Sequence, residues 1–369
     1  VISSDSKKII KVLGGDGVTR FVGGCVRNYL LGEPAGDIDL ATKLLPDEVM
    51  KRLKGAGIKV VPTGIEHGTV TAILNKKPFE VTTLRRDVET DGRRAVVAFT
   101  EDWDEDAKRR DFTMNTLSAD LDGAIYDPLG RGVSDLHKGK VVFVGDATER
   151  IREDYLRVLR FFRFHARYGK GAPDKAALVA CAAASRKLKT LSKERVTQEF
   201  VKLLEVTKSP KILTLMRQNN LLLDVVSPSY EESRLISLIK KQNEPDEAAR
   251  LVIVAGLNPA GVKKMEASLR LPLKTLAKMR AILDALKTLK TVSDHSVKLS
   301  LYLHGREATI QALYICNAPT KAVKLGEGAE IPVFPVTGKV LMKEGYAQGP
   351  ELGLELKKRE AKWIRHGFC

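Results

Sequence analysis

Between Asp146 and Gly169 apolar side chains return at Ile151, Tyr155, Leu159, Phe162 and Ala166, the spacing of one helix face. The run DATERIREDYLRVLRFFRFHARYG is therefore predicted as one long helix ending at Gly169. Upstream the rhythm differs. TRFVGG, DIDLAT, TVTAILN and FEVTTLR are short apolar or β-branched runs that predict strands, the last two paired around Lys76, Lys77 and Pro78. Helices are predicted between them: SKKIIKVLGG, stopped at Gly14 and Gly15; CVRNYLLG, ended by Gly32; and PDEVMKRLKGAG, with Pro46 in its first turn. After about Val144 strand signals fade. DKAALVACAAASRKLKTL, SKERVTQEFVKLLEVT, PDEAARLVIVAGL, AGVKKMEASLRL, KTLAKMRAILDALKTL and ATIQALYICNA all read as helices, and the last thirty or so residues add one or two more. No internal repeat or low-complexity tract interrupts the chain. The pattern is a mixed α/β or α+β unit followed by an α-helical half.

Composition adds a partner. The 369 residues carry a net charge of +16 and ordinary apolar content, which describes a soluble globular protein with a basic surface suited to nucleic acid. Four scattered cysteines, Cys25, Cys181, Cys316 and Cys369, show neither metal-ligand spacing nor a disulfide framework, so a reducing compartment is expected. No apolar run is long enough to span a membrane, and the first residues lack the apolar core of a secretory signal. A cytoplasmic location is expected, or a mitochondrial one if the source is eukaryotic.

Four segments carry candidate chemistry. In GGCVR a glycine pair joins a strand to a helix, so the backbone can approach a phosphate closely, and Arg27 lies in the first turn. An ordinary turn has the same appearance. In DID, Asp37 and Asp39 are two apart and share a face if extended; two aligned carboxylates suit Mg²⁺, although an exposed edge strand would also carry them. RRDFTMN offers Arg110 for phosphate, Asp111 for a sugar hydroxyl and the Asn115 amide, or a charged helix start with ordinary ion pairs. EDYLRVLRFFR places Asp154 and Arg157 three apart on the predicted helix, with Arg160 and Arg163 following round it. From Arg150 to Lys170 seven basic residues face two acids, an imbalance that a solvated face seldom shows. An acid beside a guanidinium can read the edge of a nucleobase, and it can also be a plain ion pair. ERVTQE reads as a structural brace through Glu194, Arg195 and Glu199. No Ser-His-Asp or Cys-His arrangement is present.

In this order, the segments resemble the class II branch of the tRNA nucleotidyltransferase and poly(A) polymerase family, from Phe21 to Leu204. The resemblance implies an α+β polymerase beta-like nucleotidyltransferase head, a mixed sheet with helices, over 1–145. An all-α neck (146–205), body (206–290) and tail (291–369) would follow, the tail binding tRNA. It implies Asp37 and Asp39 as catalytic Mg²⁺ ligands. Gly24, Arg27, Arg110 and Asn115 would hold the nucleotide, with Asp111 at the sugar. Asp154 and Arg157 would take the base, with Arg160 and Arg163 nearby. Asn28 departs from the family, which usually has aspartate there, and altered local hydrogen bonding is expected.

LRRDVETDGRRAVVAFTEDW resembles the flexible loop of members that add the final adenosine, with Gly92 as a pivot between Asp91 and Arg94. VVPTGIEHGTVTAIL lacks the basic signature of bacterial poly(A) polymerases. The expected activity is template-independent addition of CCA to tRNA from CTP and ATP, with pyrophosphate leaving. The alternatives are A addition alone, poly(A) synthesis, or a non-catalytic tRNA-binding protein. No protein partner is expected.

Overall fold

A computed structural model describes residues 3–91, 94–222 and 224–368, with side chains for all of these except 87–91 and 94–97. The chain divides into two compact units, Val1–Val206 and Thr207–Cys369.

The first unit is built on a seven-stranded mixed sheet. Its strands are β1 (Thr19–Val22), β2 (Asp39–Thr42), β3 (Lys59–Gly64), β4 (Thr69–Leu74), β5 (Lys77–Thr83), β8 (Ser118–Ala119) and β9 (Ile125–Tyr126), in the order β3-β4-β5-β2-β1-β8-β9. A separate hairpin, β6 (Arg85–Asp91) and β7 (Arg94–Phe99), occupies the segment read as a loop. The pivot assigned to Gly92 lies outside the described residues. Two antiparallel ribbons, β3-β4-β5 and β2-β1-β8-β9, meet at one parallel pairing, Asp39–Thr42 of β2 against Glu80–Thr83 of β5.

The β4–β5 turn is tighter than its composition suggests. Asn75 and Lys76 both take positive φ, 51° and 62°, and form the turn, while Lys77 and Pro78 belong to β5. Pro78 is tolerated because β2 pairs with β5 only from Glu80 onward, so no ladder donor is demanded of it there.

Helices α1 (Ser4–Val12), α2 (Gly24–Leu30), α3 (Pro46–Gly55), α4 (Trp103–Lys108) and α5 (Gly132–Lys138) accompany the sheet. Four more follow: α6 (Ala147–Glu153), α7 (Leu156–Tyr168), α8 (Lys175–Ala183) and α9 (Lys193–Glu205). The single long helix expected from Asp146 to Gly169 is thus two. Asp154 is extended, at φ −153° and ψ 107°, and its Oδ1 accepts the Leu156 amide at 3.1 Å. Aspartate competes well for such free amides, so it starts α7 instead of continuing α6. The apolar stripe survives the break: Ile151, Leu159, Phe162 and Ala166 are buried, and Phe112, Phe143, Phe161 and Phe164 form an aromatic core beside them.

The second unit is helical: α10 (Ser209–Gln218), α11 (Glu232–Lys241), α12 (Glu247–Val254), α13 (Pro259–Ser268), α14 (Leu273–Thr288), α15 (Asp294–Ile315), α16 (Thr320–Gly328), α17 (Gly338–Lys343) and α18 (Pro350–Arg365). Leu289, Val297, Leu301, Leu313 and Ala322 centre one of its cores. Positive φ at Gly305 breaks α15 near its middle. No helix among the described residues is long and apolar enough to cross a membrane.

Candidate active site

The start of the site follows from β1. The strand ends at Val22, Gly23 takes φ 67° and ψ −126°, and α2 begins at Gly24. A Cβ on Gly23 would lie 3.4 Å from Arg110 Nη1 and 4.0 Å from Asp39 Oδ2. The turn therefore brings bare backbone between an arginine and a carboxylate, in a left-handed conformation that a side chain would strain.

Asp39 opens β2, while Asp37 stands in the bend just before it and is exposed. The two acids are not both in the strand as the i, i+2 spacing suggested, yet both line one cleft of about 680 Å³. Burial, then the negative charges of Glu80 and Asp37, push the Asp39 carboxyl up to about 6, only partly offset by Arg110 and Arg27. Glu80 is the register partner of Asp39 on β5 and a third acid that the motif reading did not single out. Excess negative charge at an all-oxygen pair fits a divalent cation. Among the described residues no group of three or more His, Cys, Asp or Glu is arranged around a metal position, so part of the ion's shell would fall to water or substrate oxygens.

A connected network forms another part of the cleft. Arg27 Nη1 donates to Asn115 Oδ1 at 2.6 Å, and Asn115 Nδ2 donates to Asp111 Oδ1 at 2.8 Å. Arg160 donates to Asp111 Oδ2 through Nε at 2.7 Å and Nη2 at 2.6 Å. Arg163 Nε reaches Glu199 Oε2 at 2.6 Å, and Glu199 Oε1 lies 3.7 Å from Arg160 Nη1. Asp111 also accepts the Phe112 amide at 2.9 Å, so each of its oxygens already holds two hydrogens. Burial alone would raise its carboxyl. Arg160, Asn115 and the Phe112 amide instead hold it below the usual carboxylate range. Asp111 thus organises Asn115 and Arg160, a larger role than the sugar contact expected of it. Asn28, the departure from the family, accepts from Arg27 Nη2 at 3.2 Å and donates to the Pro34 carbonyl at 3.1 Å.

Arg110 is held from two sides. Nε and Nη2 donate to Asp106 at 3.2 and 2.9 Å, and Nη1 donates to the Asn115 carbonyl at 3.2 Å. The arginine therefore approaches the Gly23 turn already oriented.

The base-reading candidates differ from expectation in their partners. Because the helix breaks at Asp154, Asp154 and Arg157 do not pair. Arg157 donates to Glu153 and, at 2.8 Å, to the Arg150 carbonyl. Asp154 Oδ2 receives Arg195 Nη2 from α9 at 2.7 Å. ERVTQE is thus a brace, as read, and its Arg195 also reaches the cleft. Nothing in its local spacing marks Arg195, whose partner lies 41 residues away.

All eleven candidates, Gly24, Arg27, Asp37, Asp39, Arg110, Asp111, Asn115, Asp154, Arg157, Arg160 and Arg163, line this one cleft. Gly23, Asn28, Arg109, Phe164 and Arg195 complete its chemistry. Phe164 is buried, with the Arg27, Arg160 and Arg163 guanidiniums 5.2, 5.4 and 4.7 Å from its ring, a contact that no linear motif announces.

Known proteins resemble this chain in sequence and fold. The model of the poly A polymerase head domain matches residues 19–142, and that of a probable RNA and SrmB-binding site of polymerase A matches 172–232. The mitochondrial CCA tRNA nucleotidyltransferase 1 of Danio rerio is 34% identical over 368 residues, covering 95% of this chain and 84% of that protein. The CCA-adding enzyme of Bacillus cytotoxicus is 36% identical over 299 residues, 79% of this chain and 73% of that protein. Among solved structures, the Bacillus stearothermophilus CCA-adding enzyme in complex with CTP aligns with a TM-score of 0.82 at 27% identity, covering 98% of this chain and 92% of the other.

Proposed function

Because the chain belongs to the CCA tRNA nucleotidyltransferases, the CCA-adding members of the tRNA nucleotidyltransferase and poly(A) polymerase family, we infer that its cleft completes the 3′ end of tRNA, adding C, C and A from CTP and ATP without a template. The observation that carries this reading is the convergence of an acid pair, a phosphate-sized glycine turn, an arginine network and Asp154 with Arg157 in one cleft.

Enzymes of this family generally use a divalent metal. Asp37 and Asp39 would hold it here, and their hard oxygen donors favour Mg²⁺. When bound, such an ion shields phosphate oxygens and lowers the pKa of an attacking hydroxyl. The chain's own groups do the rest. Arg110 and Arg27, with the bare backbone at Gly23 and Gly24, orient the triphosphate so that the α-phosphorus faces the tRNA 3′-hydroxyl. The new 3′-O–P bond forms as the bond to the β-phosphate oxygen breaks, the hydroxyl proton is lost, and pyrophosphate leaves with both electrons of the broken bond. Asp111 fixes Asn115 for the sugar and Arg160 beside it.

Base choice rests on Asp154 and Arg157. Cytosine and adenine both offer an exocyclic amine beside an acceptor nitrogen; uracil lacks the amine, and guanine reverses the order. Asp154 accepts from the amine and Arg157 donates to the ring nitrogen. Arg195 keeps Asp154 aimed.

The surplus of positive charge suits the phosphates of a tRNA acceptor arm, held by shape and charge more than by sequence. We retain the division of the helical part into neck 146–205, body 206–290 and tail 291–369. We assign the protein to the cytoplasm or, as the names of its animal relatives suggest, the mitochondrion. Three tRNA transcripts, lacking CCA, CA or A, test the activity when each nucleotide is offered alone. CTP should extend the first two and ATP only the third. Repeated A addition to any of them would overturn the reading.

A further inference from the structure

A second pocket, of about 310 Å³, opens between α4 and strands β1, β8 and β9. Its centre is Arg20. The guanidinium carbon sits 3.6 Å from the Tyr126 ring centroid and 4.4 Å from that of Trp103, between two aromatic rings. Among the described residues Arg20 forms no ion pair, and its Nε is buried without a hydrogen-bond partner. Trp103 Nε1 is orphaned in the same way. Buried donors without acceptors are uncommon, and an arginine without an anion leaves its strongest class of interaction unmade. Rings stacked on both faces of a guanidinium leave its edge as the direction in which its hydrogens can be given away.

Three acids also line the pocket, and none serves these donors. Asp106 is taken by Arg109 and Arg110, and Asp127 accepts the Gly132 and Val133 amides. Asp104 is exposed. The unmet demand is for acceptor oxygens on an anion, with phosphate geometry matching a guanidinium edge. Arg110 is the decisive neighbour: it lines both this pocket and the nucleotide cleft. Arg110, held by Asp106 and the Asn115 carbonyl, thus places this pocket next to the cleft from which an anion would be released.

We propose that this pocket is a phosphoanion subsite that receives the pyrophosphate released by nucleotide transfer, with Arg20 and Trp103 as its donors. The proposal rests on the assignment of the main cleft to a nucleoside triphosphate. Inorganic pyrophosphate is titrated calorimetrically into the full-length protein, alone and saturated with CTP. Pyrophosphate should still bind when CTP fills the cleft. That binding should weaken at least tenfold in Arg20→Gln and about threefold in Trp103→Phe, which keeps an aromatic ring and removes the N–H donor together with the five-membered ring that carries it. The KM for CTP should be unchanged in both variants. Full competition between CTP and pyrophosphate overturns the proposal, as does unaltered pyrophosphate affinity in a folded Trp103→Phe protein. If the variants lose only thermal stability, Arg20 is a structural staple and the subsite is withdrawn. If CTP and ATP fail to bind at all, the cleft assignment falls, whereas pyrophosphate uptake that depends on Arg20 would still uphold the pocket.

Discussion

Arg195 Nη2 lies 2.7 Å from Asp154 Oδ2, so the acid proposed to read the base is oriented from α9 and not by the arginine three residues along its own segment. Asp154→Ala should relax base choice more than it slows transfer. The ratio of kcat/KM for CTP over UTP should fall about 5- to 150-fold, the worth of one good base-edge contact. Arg195→Ala should shift the ratio in the same direction by less, since it leaves the acceptor in place but frees its aim. Single-nucleotide incorporation assays with CTP and UTP measure both.

The acid pair should be indispensable for either base. Asp37→Ala and Asp39→Ala should each lower addition of C and of A by about a thousandfold or more, without altering the ratio between them. Near-normal turnover in Asp37→Ala would remove the metal assignment.

Asp39 also makes a stability prediction. Its carboxyl is raised to about 6 by burial, Glu80 and Asp37, above its value in the unfolded chain. The associated stability is fully present below about pH 4 and is lost as pH rises through 6. In chelator, Asp39→Asn should therefore melt higher than wild type at pH 7.5, by about 2–3 kcal/mol at most, and the gain should vanish toward pH 4. Thermal melts across that range check it. The sign is the reverse of what removal of a paired acid would give.

Asp111 supplies that reverse case. Its carboxyl is buried yet held low by Arg160, Asn115 and the Phe112 amide. The stability it contributes is present above about pH 4 and is lost as pH falls through its depressed value. Asp111→Asn should cost about 1–3 kcal/mol at pH 7, because Arg160 loses its two-point anion and keeps only Glu199, 3.7 Å away, and the acid limb of the stability curve should flatten. Urea unfolding at pH 7 and pH 3 separates the two effects.

Binding of tRNA should weaken steeply with salt. With four phosphate contacts, raising KCl from about 50 to about 200 mM should cost about a hundredfold in affinity. A flat response in filter binding would argue against a phosphate-reading surface.

How far the sequence could be read depends on the range of each signal. The α/β-to-α transition near Val144, the glycine turn after Val22 and the helix end at Gly169 are local and were legible. The break at Asp154 was not, because Ile151 and Leu159 keep helical phase across it and the apolar stripe conceals the kink. Pro78 looked like turn punctuation. Its place in β5 depends on where β2 stops pairing, which no local pattern reports. Likewise Asp111 could be picked out as a polar candidate. That it would saturate both oxygens follows only from Arg160, which lies 49 residues further on.

The parallel pairing of β2 with β5 is a seam between two ribbons, and Asp39 sits on it opposite Glu80. The seam joins segments some 40 residues apart, so it carries a loop-closure cost that the tight β4–β5 hairpin does not. With Asp39 proposed to hold the metal, activity is thus tied to the joint between two halves of one sheet. A fluctuation that parts them would displace Asp39 while both halves stay ordered, and a cation held at Asp39 would relieve its repulsion with Glu80 across that joint.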